Sequence, residues 1–253
     1  MNGNAYTAGL VSVSFRKWEP LDILKEMKRL GLTAVEWGSD VHAPCTDSAR
    51  LAEIAALQAE YGVCCVSYGT YFRLGETPMS ELPQYIAAAK VLGAPILRLW
   101  CGSKSGADMN EQERETLLSL CIEAAGIAER EGVILALECH KRTFTQIPED
   151  AVWLMEQVSS PHFRMYWQPF QWQTVAENIE NAKKIAPYAT HIHVFNWKGE
   201  DMLPLSLAVE EWQTYLAAFS APRMLLLEFM PKGTLGELEA EAAALNDIIG
   251  GLK

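Results

Sequence analysis

Short apolar runs recur along the whole chain, at Leu10–Phe15, Ala34–Trp37, Val63–Tyr68, Ile96–Cys101, Val133–Cys139, Arg164–Trp167, His191–Phe195 and Met224–Phe229. Each has the length of a buried strand. The segments between them carry apolar residues at helical spacing. Ile23, Leu24, Met27 and Leu30 form one such face, and Leu51, Ile54, Ala55 and Leu57 another; Tyr85–Leu92 and the long stretch Glu111–Glu131 continue the pattern. Gly31, Gly62, Gly93 and Gly132 each stand one to three residues before a strand, where a helix closes. Pro20, Pro83 and Pro148 sit near helix starts, where a missing N–H costs little.

Eight strands therefore alternate with eight helices. That predicts an α/β fold whose parallel sheet is covered by helices. An open doubly wound sheet is the competitor, but its GxGxxG turn is missing from the sequence. Eight similar units in 253 residues fit closure into a (β/α)8 TIM barrel. No linker or break in composition divides residues 1–253, so a single domain is expected.

Charge and composition narrow the function classes. A net charge of −11 speaks against a nucleic-acid or anionic-membrane surface. No run approaches the roughly 20 apolar residues of a membrane span. The opening MNGNAYTAGLVSVSF has no basic n-region, and Cys45, Cys64, Cys65, Cys101, Cys121 and Cys139 form no spaced framework. These features predict a cytoplasmic protein with reduced, mostly buried thiols. They leave a homo-oligomer open.

In such barrels chemistry lies at the C-terminal ends of the strands, where the loops converge. Those ends supply Glu36 and Trp37 with His42 beyond them, Tyr68, Arg98 and Trp100, Glu138 and His140, Gln168 and Gln171, His191 and His193 with Trp197, and Glu228. Glu138 follows VILAL and Glu228 follows MLLL. A carboxylate ending an apolar run is costly unless it meets a cation, a proton or hydrogen-bond donors. The plain explanation is a pair of buried ion pairs with Arg98 or Arg164. His193 between the two glutamates in strand order favours a site instead, and His191, one step deeper, suits packing or support. Glu138, Gln168, His193 and Glu228 come from strands 5 to 8 and are expected to converge. Two carboxylates, an imidazole and an amide oxygen suit one divalent cation such as Mn2+, Mg2+ or Co2+. His162 precedes strand 6 and is expected to be structural.

The segments Ala34-Val35-Glu36-Trp37-Gly38, Leu137-Glu138-Cys139-His140, His191-Ile192-His193 and Leu227-Glu228-Phe229 resemble the sugar phosphate isomerase/epimerase family of xylose isomerase-like barrels. The resemblance covers nearly the whole chain. It implies a divalent metal held by residues of strands 5 to 8, with Glu138 and Glu228 also serving as acid and base. Gln168 stands where the family has an Asp, and Gln171 where its epimerases often have a substrate-binding His.

The implied reaction is proton abstraction next to a carbonyl, through an enediolate that a metal stabilises. Isomerisation or epimerisation of a small carbohydrate is the leading expectation, and dehydration of a cyclic polyol the second. A barrel that binds a sugar without turning it over is the non-enzymatic alternative. The DNA-cleaving branch of the fold is disfavoured by five histidines and the acidic charge. Glu36, Trp37, His42, Tyr68, Arg98, Trp100, His140, Gln171 and Trp197 are the expected substrate contacts. Lys104, Lys141, Arg142, Lys198 and Lys232 follow strand ends and hint at an anionic substrate.

Overall fold

A computed structural model describes residues 6–252. The first five residues of the opening segment, read above for a leader, lie outside it. Eight parallel strands close into a barrel: β1 (Thr7–Val11), β2 (Ala34–Gly38), β3 (Cys64–Leu74), β4 (Ile96–Cys101), β5 (Ile134–Glu138), β6 (Phe163–Trp167), β7 (Ala189–Val194) and β8 (Met224–Leu227). Each pairs with its neighbour in sequence. β8 closes on β1, with Gly9 opposite Leu226.

The helices α1 (Pro20–Leu30), α2 (Ser48–Tyr61), α3 (Leu82–Leu92), α4 (Glu111–Glu131), α5 (Pro148–Val158), α6 (Val175–Ile185), α7 (Val209–Leu216) and α8 (Leu238–Gly250) follow the strands in turn. The predicted glycines end α1 to α4 in left-handed geometry, with φ between 68° and 73°. Among the described residues no helix is long and apolar enough to cross a membrane. All six cysteines are free.

Two strand boundaries differ from the sequence expectation. β1 begins earlier and stops at Val11, and Ser12–Phe15 forms a 3-10 turn. Ser12 accounts for the turn. Its Oγ accepts the Gly38 N–H at 2.9 Å and lies 3.1 Å from His42 Nδ1, which ties the chain to the β2 loop. The alternation of Ser12, Val13, Ser14 and Phe15 imitates a strand. β3 in turn runs on to Leu74, with a register shift between Gly69 and Arg73. There the Thr70 hydroxyl donates to the Arg98 carbonyl at 2.7 Å.

Two layers fill the molecule. The larger core packs outward-facing strand residues against the helices, and includes Trp37, Tyr68, Leu99, Leu137, Trp167 and Leu227. A smaller cluster of Val11, Ala34, Ile96, Ala136, Tyr166 and Leu226 fills the barrel interior. Because successive strand side chains alternate in direction, Glu36 is inward and Trp37 outward. This parity positions the site.

Candidate active site

The inward positions above the apolar floor carry charge. Glu36, Arg98, Glu138, His193 and Glu228 are all buried. Arg98 lies between two carboxylates: its Nε donates to Glu36 Oε1 at 3.0 Å, and its guanidinium also donates to Glu138 Oε2. The Ser67 and Tyr166 hydroxyls donate to Glu36 Oε2 at 2.7 and 2.9 Å. Glu138 is equally well supplied. Trp100 Nε1 donates to its Oε2 at 2.6 Å and Gln168 Nε2 to its Oε1 at 3.0 Å. Glu228 differs: among the described residues no hydroxyl, amide or indole donates to its buried Oε2, which faces the His193 imidazole at 3.3 Å.

His193 is the hub. Its Nδ1 lies 3.3 Å from Glu228 Oε2, 3.3 Å from Gln168 Oε1 and 3.9 Å from Glu138 Oε1. Its Nε2 points to Glu36 Oε1 at 3.6 Å. Burial opposes charge on all these groups. Against it, His193 and Arg98 hold Glu36 well below the usual carboxylate range. Arg98 and His193 likewise hold Glu138 down. For His193, burial acts downward, but Glu228 and Glu36 outweigh it and push the imidazole up to about 10.

These residues fit a divalent cation on two counts. Each oxygen lies from His193 Nδ1 by less than twice a metal–ligand bond of about 2.1 Å, so one ion can reach them together. Glu138, His193 and Glu228 alone offer atoms within 4.8 Å of one another. Charge agrees. Three buried carboxylates against one guanidinium leave two negative charges when His193 is neutral, the complement of a 2+ ion. Glu36, behind Nε2, supplies the oriented carboxylate that commonly backs a ligating histidine.

A cavity of about 250 Å3 opens above this floor. Arg98, Trp100, Glu138, His140, Gln168, Gln171, Trp197 and Glu228 all line it. Four expected contacts do not reach it. Trp37 points outward and donates from Nε1 to Gln58 at 3.0 Å, and Tyr68, also outward, donates to the Ala43 carbonyl at 2.6 Å. Their parity is opposite to that of Glu36 and Ser67. His42 is buried beneath the loop, between Ser12 Oγ and the Trp18 carbonyl, 3.0 Å away. Glu36 lies below the cavity, behind His193, whose Nε2 is 3.6 Å from its Oε1.

The other expectations resolve similarly. Arg98 forms the buried ion pair with Glu138, whereas Arg164 turns away and donates to the Pro187 carbonyl at 2.8 Å. His162 binds the Val133 carbonyl, a structural role. His191 is buried against Tyr166 at 5.2 Å between ring centroids. Sequence reading passed over Arg16 and Tyr166. Arg16 reaches the cavity because Ser12–Phe15 turns, and it is held by Asp40 at 2.5 Å and by Tyr71. Tyr166 was detectable by parity, two residues before Gln168.

Residues 24–217 match the sequence profile of the xylose isomerase-like TIM barrel family. The chain belongs to that family. In sequence it is similar to a 3-dehydroshikimate dehydratase of Bacillus anthracis, 22% identical over 108 residues, or 42% of this chain. That match spans 39% of the relative's length. Among solved structures it is similar to the probable 3-DHS dehydratase AsbF of Bacillus anthracis (TM-score 0.81, 17% identity, 95% of this chain and 98% of that one). It is also similar to the IOLI protein with a bound zinc atom (TM-score 0.77, 13% identity, 98% and 99%). D-psicose 3-epimerase with D-tagatose from Clostridium cellulolyticum H10 is a third (TM-score 0.69, 15% identity, 98% and 99%). At such identities the likeness is one of fold. The named proteins of this fold include a probable dehydratase and two epimerases, and other members were crystallised with zinc or magnesium.

Proposed function

We propose that the chain is an enzyme that removes a proton next to a carbonyl group of a small polyhydroxylated substrate. The observation that carries this is the gathering of Glu138, Gln168 and Glu228 around His193 Nδ1 at the floor of the cavity. These four residues would hold one divalent cation, which when bound polarises a substrate oxygen and acidifies the neighbouring C–H. Trp100 and Trp197 offer apolar ring surface to the C–H faces of a carbohydrate or cyclic polyol.

The two glutamates are not equivalent. Glu138 receives donors on both oxygens and is held as a carboxylate, which suits a fixed anion better than a proton carrier. Glu228 turns Oε2 toward His193 Nδ1 at 3.3 Å, and among the described residues no donor binds its other oxygen, which is therefore assigned as the base. One working carrier favours dehydration over epimerisation. Glu228 takes the α-proton, the C–H electron pair forms the new double bond, and the same carboxyl returns the proton to the departing β-hydroxyl, which leaves as water. The similarity to the dehydratase supports this order. Isomerisation or epimerisation is the second reading, supported by the likeness to D-psicose 3-epimerase. Epimerisation requires Glu138 to exchange a proton while bonded to Arg98, whereas isomerisation returns the proton to the neighbouring carbon and needs only Glu228.

The test is incubation of the Mg2+- or Mn2+-supplemented protein with 3-dehydroshikimate and with D-psicose in D2O. Dehydration gives a conjugated product read by ultraviolet absorbance; epimerisation gives deuterium at the inverted carbon. Glu228→Gln is expected to abolish either signal. Turnover that persists in that variant, or no proton chemistry on a broad panel of carbonyl-bearing polyols, sinks the reading.

A further inference from the structure

We infer that the substrate carries an anionic group and that Lys141 binds it. The inference deepens the function proposed above by naming the substrate's charge, and it rests on that reading for the identity of the cavity.

Several cations near the barrel mouth are committed to protein carboxylates. Lys104 pairs with Glu113 at 2.6 Å, Lys232 with Glu237 at 3.0 Å, and Lys198 with Glu211. Within the cavity Arg98 is shared between Glu36 and Glu138, and Arg16 is held by Asp40. Lys141 is the exception. It lines the cavity, and among the described residues no carboxylate pairs with it. Its ammonium instead rests 4.4 Å from the ring centroid of Trp172, an exposed aromatic. Arg142 is also unpaired but lines no part of the cavity.

Lys141 also stands at a junction. With Phe170 it forms part of both the catalytic cavity and an adjoining open groove of about 690 Å3 that Trp172 lines. The catalytic cavity alone falls just below the roughly 300–1,000 Å3 usual for small-molecule sites. A substrate that fills it therefore directs any further group past Lys141. A stacked ammonium at a partly open site is held weakly, so an oxyanion outcompetes the indole for it. Lys141 thus swings from Trp172 to the substrate without breaking an ion pair. A carboxylate and a phosphate are recognised by the same chemistry here.

Calorimetric binding in the presence of Mg2+ tests the assignment with two matched pairs: shikimate against myo-inositol for a carboxylate, and fructose 6-phosphate against fructose for a phosphate. In at least one pair the anionic partner is expected to bind about ten-fold tighter, the value of one charge-assisted contact. Lys141→Met removes that preference and leaves the neutral partner's affinity unchanged, while Lys141→Arg retains it. The pair that shows the preference identifies the oxyanion. Equal binding within both pairs, no binding of any of the four, or a preference that survives in Lys141→Met overturns the proposal. The base is tested separately by Glu228→Gln in D2O, so either result can fail alone.

Discussion

Replacing Arg98 by methionine removes the single guanidinium of the buried charge layer and keeps much of its apolar length. In the native chain Arg98 is 3% exposed and bonds to carboxylates that are 0% and 3% exposed. Its removal leaves Glu36 and Glu138 with fewer donors and a larger uncompensated negative charge. Breaking a buried pair in this way costs about 3–5 kcal/mol. In a chain of this size about 1 kcal/mol moves the melting temperature by roughly 2–4 °C, so a fall of about 6–20 °C is expected. Urea unfolding at pH 7 gives the energy directly, as a lower midpoint at unchanged slope. The pH dependence follows from Glu36 and Glu138, whose folded pKa values lie below the ordinary glutamate value of 4.5. Their stabilisation is present above that value and is lost as the pH falls through the folded pKa. The gap between native and variant should therefore be widest above pH 4.5 and narrow on the acid side. A loss under about 1 kcal/mol at pH 7 refutes the view that Arg98 compensates two buried charges.

Three further outcomes are expected. Burial lowers the pKa of His42 and of His191 below the ordinary histidine value of 6.5, so the unfolded chain takes up protons first as the pH falls. Stability should decline from about pH 6.5 downward, and His42→Gln should flatten the decline by at most about 1.4 kcal/mol per pH unit, read from urea midpoints. His193 acts at the other end: without bound metal, its contribution is complete below 6.5 and lost as the pH rises through about 10. Gln168→Asp adds a third carboxylate beside His193 Nδ1, and should tighten divalent-metal binding about ten-fold or more while destabilising the metal-free protein. Metal-dependent thermal shifts measure both effects, and an unchanged affinity removes Gln168 from the ligand set.

Glu138, His193 and Glu228 were legible in the sequence because each ends or punctuates an apolar run, where a polar side chain has few structural uses. Helix ends were legible for a similar local reason, since Gly31, Gly62, Gly93 and Gly132 take a backbone geometry that side chains disfavour. What failed was parity. Nothing local says whether Glu36 or Trp37 faces the barrel axis, and an error of one residue sends Trp37 into the helical layer. Arg16 was hidden for another reason. An alternating Ser-Val-Ser-Phe stretch reads as strand, and only the tertiary bond from Gly38 to Ser12 shows that it turns. The role of Arg98 needed the fold as well, since it joins residues 62 and 40 positions away.

The hairpin after β7, Trp197–Lys198 with Asp201–Met202, is anchored where the Gly199 N–H donates to the Gln171 carbonyl at 3.0 Å. It ties one rim loop to another, whereas the charged floor is carried almost wholly by strands. On the proposed function, the molecule thus separates reactivity from selectivity: the floor is built into the barrel, and the rim is a detachable module. Exchanging residues of the two tied loops together offers evolution, or an engineer, a route to new substrates with the same proton chemistry underneath.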